Sequence, residues 1–120
     1  MNRNARIFLV VLLGFVTPLV ACPPTPLPWK ILDPGSGTPS YSGDIACEGE
    51  ATTAANYIIK IVVDTGTVQS KQDTSTQCAW GTTVSEPSGG WPLNGQSFRA
   101  ADLELWSGGT RHDKVSITLN

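Results

Sequence analysis

Hydrophobic positions change their spacing twice along this chain. They are unbroken from Ile7 to Val16, are interrupted by prolines between residues 23 and 40, and recur at every second position from Tyr41 onward. A two-residue period puts alternate side chains on one face, so the third regime predicts β-strands. In Asp44-Ile45-Ala46-Cys47-Glu48-Gly49-Glu50, Ile45 and Cys47 share one face, while Asp44, Glu48 and Glu50 take the other. Tyr57 to Val63 (YIIKIVV) is β-branched and almost wholly apolar, which predicts a central strand covered on both sides apart from Lys60. Asp64-Thr65-Gly66 fits a three-residue hairpin loop leading into Thr67–Lys71. Gln77 to Val84 places Cys78, Trp80, Thr82 and Val84 together. Asn94-Gly95 is a two-residue hairpin signal joining a short Trp91–Leu93 arm, edged by Pro92, to a strand over Ser97–Trp106. There Ala101, Leu103 and Leu105 face in, and Asp102, Glu104 and Trp106 face out. Val115, Ile117 and Leu119 alternate with Ser116 and Thr118 in the last strand.

Six to seven short strands within residues 41–120 predict an all-β domain, a small antiparallel β-sandwich or barrel. No stretch after Tyr41 has helical spacing with caps, although Ala51–Asn56 has room for one turn.

The first regime reads as a signal peptide, residues 1–21. Arg3 and Arg6 precede the apolar run, and small residues follow the Thr17-Pro18 break. Ile7 to Ala21 is 15 residues, short of the roughly 20 that cross a hydrocarbon core, and Pro18 would break the last turn. The run is apolar all round and sits at the extreme N-terminus behind a basic cap, which argues against a buried core helix as well.

Leu19-Val20-Ala21-Cys22 resembles the lipobox of bacterial lipoprotein precursors. The resemblance covers only about the first fifth of the chain. It implies cleavage between Ala21 and Cys22, a diacylglycerol on the Cys22 thiol, and usually a further acyl chain on the new amine. Two or more chains hold a protein at a membrane stably, whereas one binds marginally. The implied location is the bacterial cell envelope, lipid-anchored. The chain has three cysteines, an odd number for an oxidising compartment. Lipidating Cys22 leaves Cys47 and Cys78 as the expected disulfide. Both lie on inferred inward faces, and the bond would close a loop of about 32 residues and contribute roughly 3.5 kcal/mol.

Residues 22–40 then form the lipidated cysteine and its tether. Prolines at 23, 24, 26, 28, 34 and 39 favour extended polyproline II, which would reach on the order of 50 Å. Trp29-Lys30-Ile31-Leu32 is too apolar for pure spacer. It either packs along the domain's flank, lies at the lipid interface or docks a partner.

Charge narrows the partners. Cleavage before Cys22 leaves 99 residues with six basic and ten acidic side chains, net −4. With no basic stripe, nucleic acid is excluded as a partner, and any membrane contact runs through the lipid rather than a polybasic patch.

Catalytic chemistry has little to draw on. His112 is the sole histidine, beside Asp113 in the polar stretch Ser107–Lys114, and adjacent side chains point apart. Asp44, Glu48 and Glu50 read as a solvated face rather than an acid pair. No metal-ligand spacing, Gly-rich phosphate loop or cofactor motif is present, so a non-enzymatic domain is expected. Binding remains. Trp91 in Ser88-Gly89-Gly90-Trp91-Pro92 and Trp106 on the polar side of its strand are candidate exposed aromatics, with Asp102 and Glu104 beside them. Such groups suit sugar stacking or a protein hot spot; folded over an end of the barrel, they would instead be plugs. Leu105-Trp106-Ser107-Gly108-Gly109 also resembles the Trp-x-Lys-Gly signature of membrane-bound lysozyme-inhibitor lipoproteins. That resemblance implies an alternative role, inhibition of a cell-wall hydrolase. Gly108 replaces the family's lysine, so the inhibitory residue is not carried over.

Overall fold

A computed structural model describes residues 22–120; the signal peptide expected over residues 1–21, with Ala21 at its cleavage position, lies outside the described residues. These residues form eight strands: β1 (Lys30–Asp33), β2 (Ser40–Tyr41), β3 (Ile45–Glu50), β4 (Asn56–Val63), β5 (Gly66–Thr74), β6 (Ala79–Val84), β7 (Arg99–Ser107) and β8 (Thr110–Leu119). A three-stranded sheet has the order β1-β3-β6, and a five-stranded sheet the order β2-β8-β7-β4-β5. Pairing is antiparallel except for the two-residue parallel pair β2–β8. The fold class is thus all-β, as the alternation predicts, built as two sheets around one core.

Each sheet contributes one face to that core. Ile45, Cys47, Trp80 and Val84 come from the small sheet; Tyr57, Ile59, Ile61, Leu103, Leu105, Ile117 and Leu119 come from the large one. Burying each large aliphatic side chain contributes roughly 1.5–3 kcal/mol. Tyr57 spans the layers: its hydroxyl donates to the Gly81 carbonyl at 3.1 Å, and its ring lies 5.3 Å from that of Trp80. Burial, then the nearby charges of Asp73 and Cys47, pushes this phenol up to about 12.

Glycines close two of the hairpins as their sequences require. Gly66 follows Asp64-Thr65 with φ 128°, and Gly108-Gly109, with φ 61° and 79°, make the tight β7–β8 turn. Asn94-Gly95 also turns, with φ 55° and 78°, and Gln96 N donates to the Leu93 carbonyl at 3.1 Å. The arm expected at Trp91–Leu93 is not a strand, however, and β7 begins only at Arg99.

Two expectations about the N-terminal part are corrected. The proline-rich stretch is not a free tether throughout. Between Pro28 and Pro34 lie five consecutive residues with amide donors, and four of them form β1, paired with β3. Trp29 and Ile31 turn into the core, and the Trp80 indole donates to the Lys30 carbonyl at 3.1 Å. Ile31 N donates to Asp113 Oδ2 at 2.8 Å, joining β1 to β8 across the open side.

The disulfide links Cys22 to Cys78, with the Cα atoms 5.7 Å apart; Cys47 is free and buried. Register explains why Cys47 and Cys78 do not pair. Cys47 stands opposite Thr82 on β6, and its thiol donates to the Thr82 carbonyl at 3.6 Å. Cys78 lies four residues further along, about 13 Å at strand rise, well beyond the roughly 7 Å a disulfide spans.

Candidate binding site

The outward face of the large sheet differs from what YIIKIVV predicts. Its alternate residues Tyr57, Ile59, Ile61 and Val63 are buried, but Ile58, Lys60 and Val62 are only half-buried, because among the described residues a layer covers one side alone. Register places Ile58 opposite Trp106, Lys60 opposite Glu104 and Val62 opposite Asp102. Continuing across β8, Trp106 faces Arg111, Glu104 faces Lys114 and Asp102 faces Ser116. Cross-strand neighbours of this kind interact directly, so one face gathers an aromatic, two aliphatics and five charged groups.

Trp106 is the centre of this face. It is half-exposed, as its polar-side position predicts. Its indole N–H donates to Glu104 Oε1 at 2.8 Å, and the Lys60 ammonium sits 4.0 Å from the ring centroid. That cation–π contact is worth about 0.5–1 kcal/mol at an exposed site. Glu104 points outward as expected yet is only 7% exposed. Trp106 and Arg111 cover it, and Arg111 Nη1 donates to its Oε2 at 3.3 Å. Asp102 is half-buried and paired with Lys114 at 3.9 Å. An open recess of about 300 Å³ adjoins the ring, lined by Asn56, Ile58, Lys60, Gln72, Trp106 and Gly108 among others.

Trp91, the second candidate aromatic, is not on this face and is 5% exposed. Its indole donates to the Gly43 carbonyl at 2.7 Å and its backbone N–H to Glu86 Oε2 at 3.3 Å. Both donors are satisfied inside, so this residue is a plug for the end of the sandwich. Its loop sequence carries no period from which that burial could be read. Sequence reasoning marks Lys60 only as the exception in an apolar strand and does not reach Ile58, Gln72 or Arg111 as members of this face. The one available signal was Lys60 itself, a lone charge in an apolar strand.

The remaining candidates stay apart. His112 is exposed, with Nε2 3.1 Å from the Ser107 carbonyl and its ring 5.9 Å from that of Trp29. Asp113 does not orient it; that carboxylate accepts from Ile31 N and Lys114 N. Asp44 accepts from Glu86 N at 2.8 Å. Among the described residues, no group of three or more His, Cys, Asp or Glu side chains is placed to hold a metal ion.

The Trp106-Ser107-Gly108-Gly109 stretch is the end of β7 and its turn into β8. No family model matches the chain, and no curated protein is significantly similar to it.

Proposed function

We propose that this is an exported bacterial envelope protein whose β domain is a non-enzymatic binding module, anchored through a lipid on Cys22, and that it engages a protein or glycan partner through the Trp106 face. One observation carries the binding part of the reading: Ile58 stands opposite Trp106, with Val62 further along the same strand opposite Asp102, on a sheet face that no second layer covers among the described residues. Apolar groups of this size are ordinarily buried, and where they are left in a cluster rimmed by charge they mark contact surfaces. The anchoring part rests on the lipobox resemblance at Leu19–Cys22.

Lipid and disulfide compete for a single sulfur, because a thioether at Cys22 leaves no bond for Cys78. Intact mass with alkylation under non-reducing, denaturing conditions separates the two forms. The lipidated form carries acyl mass and two alkylatable thiols, Cys47 and Cys78; the stapled form carries no thioether lipid and one thiol. A protein that keeps residues 1–21, or partitions wholly into buffer from detergent, overturns the anchor. For the binding face, ¹⁵N-labelled domain is titrated with detergent-solubilised envelope fraction. Resonances of residues 56–60 and 104–111 are expected to shift. Shifts confined to the small sheet, or none at all, overturn the reading.

A further inference from the structure

The large sheet's outward face has a charge imbalance confined to the recess. Its carboxylates are matched: Glu104 by Arg111 at 3.3 Å, Asp102 by Lys114 at 3.9 Å, and Asp64 at the far end by Arg99 at 2.5 Å. Arg99 also holds the Asp64 carboxyl below its ordinary value. Lys60 forms no ion pair among the described residues and rests on the Trp106 ring instead. Among the described residues it is also the sole charged side chain lining the recess. Glu104 meets the edge of the ring through the indole N–H and lies outside the lining, with its charge met by Arg111.

The other lining groups are neutral and polar or flat. Asn56 Oδ1 accepts from Thr74 Oγ1 at 2.9 Å, which leaves the Asn56 NH₂ free to donate. Gln72 stands across from Ile58, and Gly108-Gly109 present backbone without side chains. A flat aromatic, side-chain amides and open backbone together suit a pyranose ring, whose one face is C–H and whose edge is hydroxyl. The unpaired ammonium adds a sign: it favours a ligand with one negative charge. A single ammonium balances the one charge of a carboxylate, whereas a phosphate monoester carries about −1.5 to −2 at pH 7.

Resting on the binding face proposed above, we infer that the recess is a saccharide subsite selecting a carboxylated sugar. Lys60 leaves the ring to take the carboxylate, which opens Trp106, with Ile58 beside it, to the sugar's C–H face, and the hydroxyls meet Asn56 and Gln72.

The test titrates ¹⁵N-labelled protein with tri-galacturonate, a hyaluronan tetrasaccharide and N-acetylmuramic acid, each against its methyl ester. At least one free acid is expected to shift residues 56–60 and 106–109, with its ester roughly tenfold weaker, as the loss of one charge-assisted bond implies. Raising salt should narrow that gap. Lys60→Gln should remove the preference for the acid and Lys60→Arg should keep it, while the unchanged dispersion of the remaining resonances reports that both fold. Equal binding of acid and ester, or a preference insensitive to Lys60→Gln, overturns the acid subsite and leaves the binding face standing. No shift with any of the three acids overturns the saccharide assignment, and the envelope-fraction titration then decides the face by itself.

Discussion

The two sheets turn unlike faces to solvent, although both are built on the same alternation. On the small sheet the outward pairs are Ala46 with Thr83, Glu48 with Gly81 and Glu50 with Ala79. On the large sheet they are Ile58 with Trp106, Lys60 with Glu104 and Val62 with Asp102. The first face is shallow and acidic, with nothing large to grip. The second has a ring, aliphatic flanks and a cation that its own carboxylates leave unpaired. Alternation decides which side is inside. Only the identity of the cross-strand partners decides whether the outside can bind anything.

The sharpest way to break that contrast is to disturb what holds the small sheet in place. Cys78→Ser opens a bond spanning 56 positions, and chain entropy puts the cost at about 4 kcal/mol. Urea unfolding of the stapled form should report it, and a shift under 1 kcal/mol would mean the N-terminal segment does not restrain the domain. Gly49→Ala comes next. A Cβ there would lie 1.8 Å from the Lys30 carbonyl oxygen and 2.8 Å from the Trp80 indole nitrogen, so β1 must leave β3. A loss of roughly 3 kcal/mol is expected. Gly81→Ala, on the outward face of the same sheet, meets nothing closer than 3.6 Å and should stay within about 0.5 kcal/mol. A large effect at Gly81 would show that the shallow face is in use.

Trp106→Ala should cost about 1 kcal/mol of stability, since the ring is only half covered, while abolishing ligand-induced shifts at Ile58 and Lys60. Stability lost without any change in binding would reduce the large-sheet face to packing.

The smallest effect concerns pH. Burial, reinforced by the charge of Asp33, pushes the Cys47 thiol from 9.0 up to about 12. In the unfolded chain it ionises first, so stability is full below pH 9 and falls as pH rises through about 12. Tyr57 adds a similar loss from 10.0 upward. Cys47→Ala should therefore flatten the urea midpoint between pH 9 and 10 while leaving the later decline. Native Cys47 should also resist thiol reagents at pH 8 until the protein is unfolded.

Much of this architecture is legible from local pattern. Ile45 and Cys47 on β3, Ile117 and Leu119 on β8, and the turn at Asp64-Thr65-Gly66 follow from period and turn chemistry alone. What escapes is whatever depends on elements distant in sequence. YIIKIVV predicts cover on two sides, yet among the described residues no layer lies above its outer positions. Trp91 reads as an exposed loop residue because its indole acceptor, the Gly43 carbonyl, approaches from a segment 48 positions away. The Cys47–Cys78 pairing fails on register, which inward-facing position cannot supply. Trp106 was legible as half-exposed, but the Lys60 ammonium over it depends on β4 and β7 lying side by side.

The bond at Cys22 also fixes where the chain enters the body. Cys78 is held at the start of β6, where its carbonyl accepts from Ala51 N, and that corner continues through Ala55 and Ser75 to Asn56. Ser107 reaches the same corner by donating to the Asn56 carbonyl at 2.9 Å. Entry point and recess thus share one pole of the sandwich, in different layers. In the stapled form one covalent bond therefore holds residue 22 and the recess at the same end of the molecule, so reducing that bond frees the start of the described chain without touching the strands that line the recess.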